Sequence, residues 1–322
     1  MLDKNLDTNA LLENNSFSRN TKINDAERFE FHIEVTTNDS QVLALLSAKC
    51  AEAKGEFSNG ELKQAIAKGA LWLTQGNRTQ RLRRIKKKLQ VGDTLHFYFN
   101  QAVLAQTTQD AKLIADHQDY SIWYKPYGML SQGSKWSDHL TIERFVQSYF
   151  STQGQERATF IVHRLDRAAT GLIIIAHSKK AARALSAMFE IHNLEKRYHI
   201  IVHGRLPTSA TTPIKVSEAI DGKNATSHFR QLAFDQEKNI SLLEVLIETG
   251  RKHQIRKHAA HIGLPVVGDR LHGDKSQSYT DELNLQLCAQ SLKFDCPITG
   301  EIRAVELPVE LCPNIEKVRQ LL

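Results

Sequence analysis

Cysteine is scarce in this chain of 322 residues: there are four, Cys50, Cys288, Cys296 and Cys312, and no C-x-x-C spacing. That excludes a disulfide framework and the usual paired-thiolate zinc arrangements, and it fits reduced thiols in a cytoplasmic protein. No run approaches the ~20 consecutive apolar residues of a membrane span. The N-terminal segment MLDKNLDTNALLENNSFSRN lacks the basic-then-apolar order of a signal peptide, so secretion is not expected. Neither a P-loop nor G-x-G-x-x-G occurs, and no nucleotide cofactor is implied. The G-x-S-x-G of serine hydrolases is missing too, because Gly128-Met129-Leu130-Ser131-Gln132-Gly133 has the wrong spacing.

What is present is an ordinary globular composition, 41% hydrophobic and 24% charged, long enough for roughly two domains of about 150 residues. Net charge is +6 and the isoelectric point about 9.0, a weak pointer to a polyanionic partner. The distribution says more. Residues 81–88 read RLRRIKKK, with Arg78 just before them. Such a run is as readily a solvated face as a phosphate-binding one, and its surroundings have to decide. Fourteen histidines invite a metal reading, with His258 and His261 at i, i+3 and His253 nearby. No H-E-x-x-H or cysteine pair accompanies them, so packing or partner-facing roles are expected and no metal site is.

Residues 1–28 are rich in Asn, Asp, Ser and Thr and read as a flexible tail. From Phe29 to Val35 apolar and polar residues alternate as in a strand. A helix around Leu43, Leu45 and Leu46 follows. A second helix is predicted in ELKQAIAKGALWL, capped by Ser58 or Asn59 and ended by Gly69, with a strand beginning at Ala70. After the basic run, Val91-Gly92-Asp93 turns the chain into the strand-like LHFYF. This order resembles an S4-type RNA-binding module, which ends in a Leu-x-x-Gly-Asp turn, here Leu89, Gly92 and Asp93. The family's tight turn has a counterpart only in Leu73-Thr74-Gln75-Gly76. The resemblance implies that residues 29–100 form a small α/β domain. Arg78, Arg81, Arg83, Arg84, Lys86, Lys87 and Lys88 would then contact RNA phosphates and carry no sequence information. A linker is placed at 101–115.

From residue 116 to 322 the pattern changes. SIWY (121–124), GLIIIA (171–176), HIIVHG (199–204) and LLEVLIE (242–248) read as strands, with Trp123 and Tyr124 in the core. Residues 178–193 and 252–263 carry helical spacing. Many strands with few helices predict an α+β domain on a largely antiparallel mixed sheet. Within it, His163-Arg164-Leu165-Asp166 precedes a small-residue turn and an apolar strand, a junction able to hold a carboxylate at the rim of a core. Taken alone, Asp166 is better explained as a local salt bridge with Arg164 or Arg167.

The wider segment resembles the RluA family of RNA pseudouridine synthases, whose signature is His-Arg-Leu-Asp followed by Thr-Ser-Gly and a hydrophobic strand. Lys125-Pro126-Tyr127-Gly128 with Ser131 matches the family's opening, and Lys196-Arg197-Tyr198 its invariant-tyrosine segment. Thr249-Gly250-Arg251-Lys252-His253-Gln254-Ile255-Arg256, continuing through Gly263-Leu264-Pro265 to Gly268-Asp269, matches its third block. Residues 287–301 fit its closing strand segment. Departures are Ala169-Thr170 for Thr-Ser, Lys252 for Thr, and Cys288 where His is common.

The resemblance implies a pseudouridine synthase fold and base flipping, with no cofactor. Asp166 would act at C1′ or C2′ of the target sugar as nucleophile or base. Tyr198 would stack on the base and remove the C5 proton. Arg256 would pair with Asp166, keeping the carboxylate charged and aimed when water is excluded. Arg164 would fill the RNA stack the base has left, and His163, Arg251 and Lys252 would contact RNA. The implied partner is structured RNA, with ribosomal RNA of the large subunit favoured and transfer RNA open. A monomer is the default. The competing class is a non-catalytic RNA-binding protein on the same scaffold, which has no chemical need for Asp166, Tyr198 and Arg256 together.

Overall fold

The computed structural model describes residues 28–53, 57–207, 212–273, 279–280 and 282–322. The expected N-terminal tail lies outside these residues, except for Arg28. The chain runs β1 (Arg28–Glu34), α1 (Val42–Ala53), α2 (Asn59–Ala67), β2 (Leu71–Gln75), β3 (Arg78–Arg81), β4 (Thr94–Asn100) and the single turn α3 (Gln101–Leu104). It continues with β5 (Lys112–Asp116), β6 (Tyr120–Lys125), α4 (Ile142–Thr152), β7 (Phe160–Ile161), β8 (Thr170–Ala176), α5 (Lys179–Glu190) and β9 (Leu194–His203). The last elements are β10 (Ile214–Val216), β11 (Ser227–Asp235), β12 (Ile240–Ile247), α6 (Gln254–His261), β13 (Leu287–Asp295), β14 (Ile302–Glu306) and α7 (Ile315–Leu321).

Two sheets form among the described residues. The first has four antiparallel strands in the order β1-β4-β2-β3. Its inner face and the two helices bury Val42, Leu46, Cys50, Leu62, Ile66, Leu71, Leu73, Leu95 and Phe97. Ser58 rather than Asn59 caps α2. Its hydroxyl accepts from Glu61 N while the Glu61 carboxylate accepts from Ser58 N, so two orphan donors of the first turn are satisfied reciprocally.

The second sheet has ten strands, eight of them in the order β10-β11-β12-β9-β13-β8-β6-β5, with β14 on β13 and β7 on β8. All its pairings are antiparallel except β13 with β8. The fold is therefore α+β with antiparallel-dominated sheets. The expected linker 101–115 is not structureless: Lys112 to Ala115 already pair with β6 as part of β5. The apolar triplet Leu113-Ile114-Ala115 supplies that strand without turn residues to announce it.

At the parallel crossing, Thr170 stands beside Cys288 and Gly171 beside Ala289. Gly171 has φ of +115°, and a Cβ there would come within 2.4 Å of the Ala289 backbone nitrogen and oxygen. No other residue fits so close an approach, and the sheet's centre is built on that fit.

The two sheets are fastened through the loop 134–138. Asp138 receives the guanidinium of Arg81 at 3.3 Å, that of Arg144 at 3.4 Å, and that of Arg83. Arg81 also donates to Ser134 O at 2.6 Å and stacks over Trp72, 4.3 Å from its ring centre, while Trp72 Nε1 donates to Lys135 O at 3.0 Å.

Candidate active site

The segment 162–169 between β7 and β8 would be a free loop were it not tied on three sides. Ser131 Oγ donates to Leu165 O at 2.8 Å and accepts from Leu165 N at 3.0 Å. Gly128 N donates to Arg167 O at 2.9 Å. The fully buried Lys125 ammonium donates to Met129 O at 2.9 Å and Pro126 O at 3.1 Å, and reaches Arg167 O at 3.5 Å. Its pKa is pushed down to about 7, chiefly by burial, with the Asp166 charge pulling the other way. The opening segment Lys125–Ser131 thus serves as a clamp that holds the backbone on both sides of Asp166.

The Asp166 side chain, 24% exposed, faces Arg256 Nη1 at 3.5 Å and His253 Nε2 at 3.8 Å. Arg256 is expected to pair with Asp166, but its primary partner is Asp269. Nε and Nη2 form a fork onto the two Asp269 oxygens at 2.7 and 2.6 Å. Asp269 also accepts from the backbone N–H of Leu271 at 2.9 Å and His272 at 3.0 Å. Burial alone would raise the Asp269 carboxyl, but Arg256 and those N–H groups outweigh it and hold it below the ordinary aspartate value. Asp269 thus fixes the guanidinium, whose remaining Nη1 is turned toward Asp166.

The third block is held by Gln254. Its Oε1 accepts from Thr249 Oγ1 at 2.7 Å and Arg251 N at 3.0 Å, and its Nε2 donates to Thr226 O at 2.9 Å. His253, next to it, takes the left-handed conformation at φ 56°, unusual for a residue with a side chain, and bonds His272 across 2.8 Å.

Tyr198 lies on β9 opposite Val245 and Ala289. Burial, then the Asp166 charge, raises its phenol above the ordinary value, so it rests as a neutral O–H. Arg164, Asp166, Tyr198, Arg251, Lys252 and His253 line one cavity of about 190 Å³. The three blocks noted in the sequence therefore meet at one place. Arg164 and Lys252 are exposed there; Arg251 is half-buried and donates from Nε to Asn224 O at 3.0 Å.

Some of the residues expected to contact RNA are engaged within the protein. His163 is not among the residues that line the cavity. It stacks on Phe189 at 4.1 Å between ring centres, and its Nε2 accepts from Ile174 N at 2.9 Å. Arg81 and Arg83 are taken up by Asp138 rather than left for phosphates. The other basic residues of the run, Arg78, Arg84, Lys86, Lys87 and Lys88, are exposed. Lys125, Asp269, His253 and His272 were not singled out as site residues. Asp269 could have been, since it closes the third sequence block.

His163 has a measurable consequence. Burial, then the nearby Lys196 charge, pushes its pKa from 6.5 down to about 3. Between those values the unfolded chain holds more protons than the folded one, so stability falls as pH drops through that window. A His163→Asn protein is expected to lose less stability than wild type between about pH 6.5 and pH 4, measured as denaturation midpoints.

The RNA pseudouridylate synthase family matches residues 119–261. The chain is 33% identical over 203 residues to the tRNA pseudouridine synthase C of Yersinia pestis, covering 55% of this chain and 78% of that protein. It is 32% identical to the protein of the same name from Pectobacterium carotovorum, where the match spans 53% of the relative's length. Among solved structures, human RNA Pseudouridylate Synthase Domain Containing 1 shares the fold, with a TM-score of 0.53 at 18% identity, covering 67% of this chain and 96% of that one. The carboxylate, the tyrosine and every residue lining the cavity except Leu287 stand within the matched residues, and the chain belongs to the RNA pseudouridine synthases of the RluA type.

Proposed function

We propose that this enzyme isomerises uridine in a folded RNA through Asp166, with large-subunit ribosomal RNA as the substrate and transfer RNA as the second choice. The supporting observation is the placing of one carboxylate at the edge of a base-sized cavity between Tyr198 and the Asp269-anchored Arg256. In the reaction the C1′–N1 bond breaks, a C1′–C5 bond forms, C5 loses a proton and N1 gains one. No electrons are exchanged with a second reactant. Asp166, ionised and aimed, acts at the sugar while the base is free to turn.

Tyr198 is the base for the C5 proton in this reading. Its phenol is held neutral partly by the charge on Asp166, and that contribution disappears once the carboxylate is bonded to carbon. Arg164, exposed at the rim, replaces the extruded base in the RNA stack. Extrusion costs a few kcal/mol in a duplex and less in a loop, so a loop or bulge uridine is the expected target.

Residues 29–100 act as an S4-like module in this reading. The support is the helix–strand order beside the exposed Arg78, Arg84, Lys86, Lys87 and Lys88. Replacing those five by glutamine should weaken binding to all RNAs and reduce the salt slope by roughly 0.7–0.9 per lost contact. Replacing Arg83, which is committed to Asp138, should not reduce the slope.

The protein works as a monomer in the cytoplasm in this reading. The test of function is to incubate the protein with ribosomal and transfer RNA from cells lacking the gene and map new pseudouridines. New sites in large-subunit RNA support the reading; new sites confined to transfer RNA transfer it to that substrate. No new site in either defeats it.

A further inference from the structure

Two lysines are buried in the catalytic domain among the described residues, and their surroundings differ. Lys125 is 0% exposed and spends its ammonium on main-chain carbonyls. Lys196 is 7% exposed, and among the described residues neither a hydrogen bond nor an ion pair satisfies it. Holding an ammonium out of water with no partner is costly and is seldom left unanswered. Its tip is not among the sealed, partnerless polar atoms, which are His117 Nε2 and Arg303 Nε. The ammonium therefore opens onto some solvent.

Lys196 is not itself in the cavity wall, but it stands directly behind it. Lys196 precedes Tyr198 by two residues on β9, so the two side chains share a face of the strand. Its Nζ lies 3.9 Å from where a Gly250 Cβ would stand, and Gly250 lines the cavity with Asp166 and Tyr198. The neighbours that feel its charge, His163 and His192, have their pKa values lowered by it, so neither supplies a negative counterpart. Burial lowers the Lys196 pKa as well.

We infer that Lys196 is a substrate-binding residue whose ammonium takes a negatively charged oxygen of the target nucleotide beside Gly250. Two oxygens of that chemistry reach the cavity with a flipped uridine. One belongs to a flanking phosphate and is charged from the outset. The other is a carbonyl oxygen of the uracil, charged only while the base is detached from C1′. This inference rests on the cavity being the site of uridine isomerisation.

The test compares Lys196→Met and Lys196→Arg with wild type, using large-subunit ribosomal RNA and bulk transfer RNA from cells lacking the gene. Binding is read in an Asp166→Asn background, so it does not depend on turnover. Removing a charge-assisted hydrogen bond should cost at least about 10-fold. A phosphate partner shows as a Kd weakened by that factor and a salt slope lower by about 0.7, with kcat kept. A uracil carbonyl partner shows as kcat reduced by that factor with Kd and slope unchanged. In either case Lys196→Arg recovers most of the loss, and Lys196→Met melts no lower than wild type because an unpaired buried charge has been removed. If Lys196→Met leaves Kd, kcat and salt slope unchanged, the inference is wrong. It is also wrong if Lys196→Met lowers the melting temperature and Lys196→Arg does not restore activity, because the lysine is then part of the scaffold. A wild-type protein that binds these RNAs but forms no pseudouridine refutes the isomerase reading, while the binding arm still reports on Lys196.

Discussion

An Asp166→Asn protein is expected to bind RNA as wild type does and to form pseudouridine about 10⁴-fold more slowly or worse. Asparagine fills the same volume at a position whose side chain is 24% exposed, so little packing is disturbed. The backbone around it is held by Ser131, Gly128 and Lys125, whose hydrogen bonds go to main-chain atoms of Leu165 and Arg167 and not to the carboxylate. Arg256 keeps its fork on Asp269 in the variant, so the neighbouring charge stays in place. What disappears is the anionic oxygen, which no other group in the cavity replaces. Single-turnover pseudouridine formation with saturating enzyme, beside a filter-binding isotherm, separates the two quantities. Turnover within tenfold of wild type would remove Asp166 from the chemistry.

Asp269→Asn is expected to harm both stability and turnover although Asp269 does not line the cavity. Removing one partner of a buried pair leaves the other charge unanswered, at a cost of about 3–5 kcal/mol. The Arg256 side chain, 7% exposed, has only Asp166 left at 3.5 Å, and its aim is no longer set by a fork. A misplaced catalytic contact can cost about 10²-fold in rate, and a loss of that order is expected in kcat. The pH dependence follows from the sign of the shift. The folded Asp269 carboxyl is held below its unfolded value of 3.8, so its contribution is complete above that pH. It is lost as pH falls through the lower folded value. Wild type should therefore lose this part of its stability in acid, and Asp269→Asn should already lack it at neutral pH. An unchanged melting temperature and unchanged kcat would show that Arg256 holds its place without the fork.

How much of this was legible in the sequence depends on whether the deciding contact is local. The junction from Asp166 into β8 could be read directly, since a polar quartet, a small-residue turn and an apolar strand follow one another. The cavity could be anticipated from three motif blocks in order, and the fold brings them to one place. Ranking two carboxylates for one arginine was not possible, because Asp166 and Asp269 reach Arg256 from opposite directions along the chain. Adjacent residues also diverge: Arg164 opens to the cavity while His163 packs on Phe189, and a motif read letter by letter does not separate them. The basic run hid a similar division. Its composition is uniform, but Arg81 and Arg83 are spent on an aspartate 55 or more positions away, which only the docked loop reveals.

The order of strands in the large sheet has a consequence for when the enzyme comes into being. β13 sits between β9 and β8, so before it is laid down the strands β5-β6-β8 and the strands β10-β11-β12-β9 share no ladder. Asp166 leads into the first ribbon and Tyr198 belongs to the second. A strand synthesised after both must slot between them, a long-range closure on both sides that folding reaches late. A growing chain on the ribosome consequently carries a carboxylate and a tyrosine that have not met. A chain ending before Leu287 should hold two half-sites and no activity.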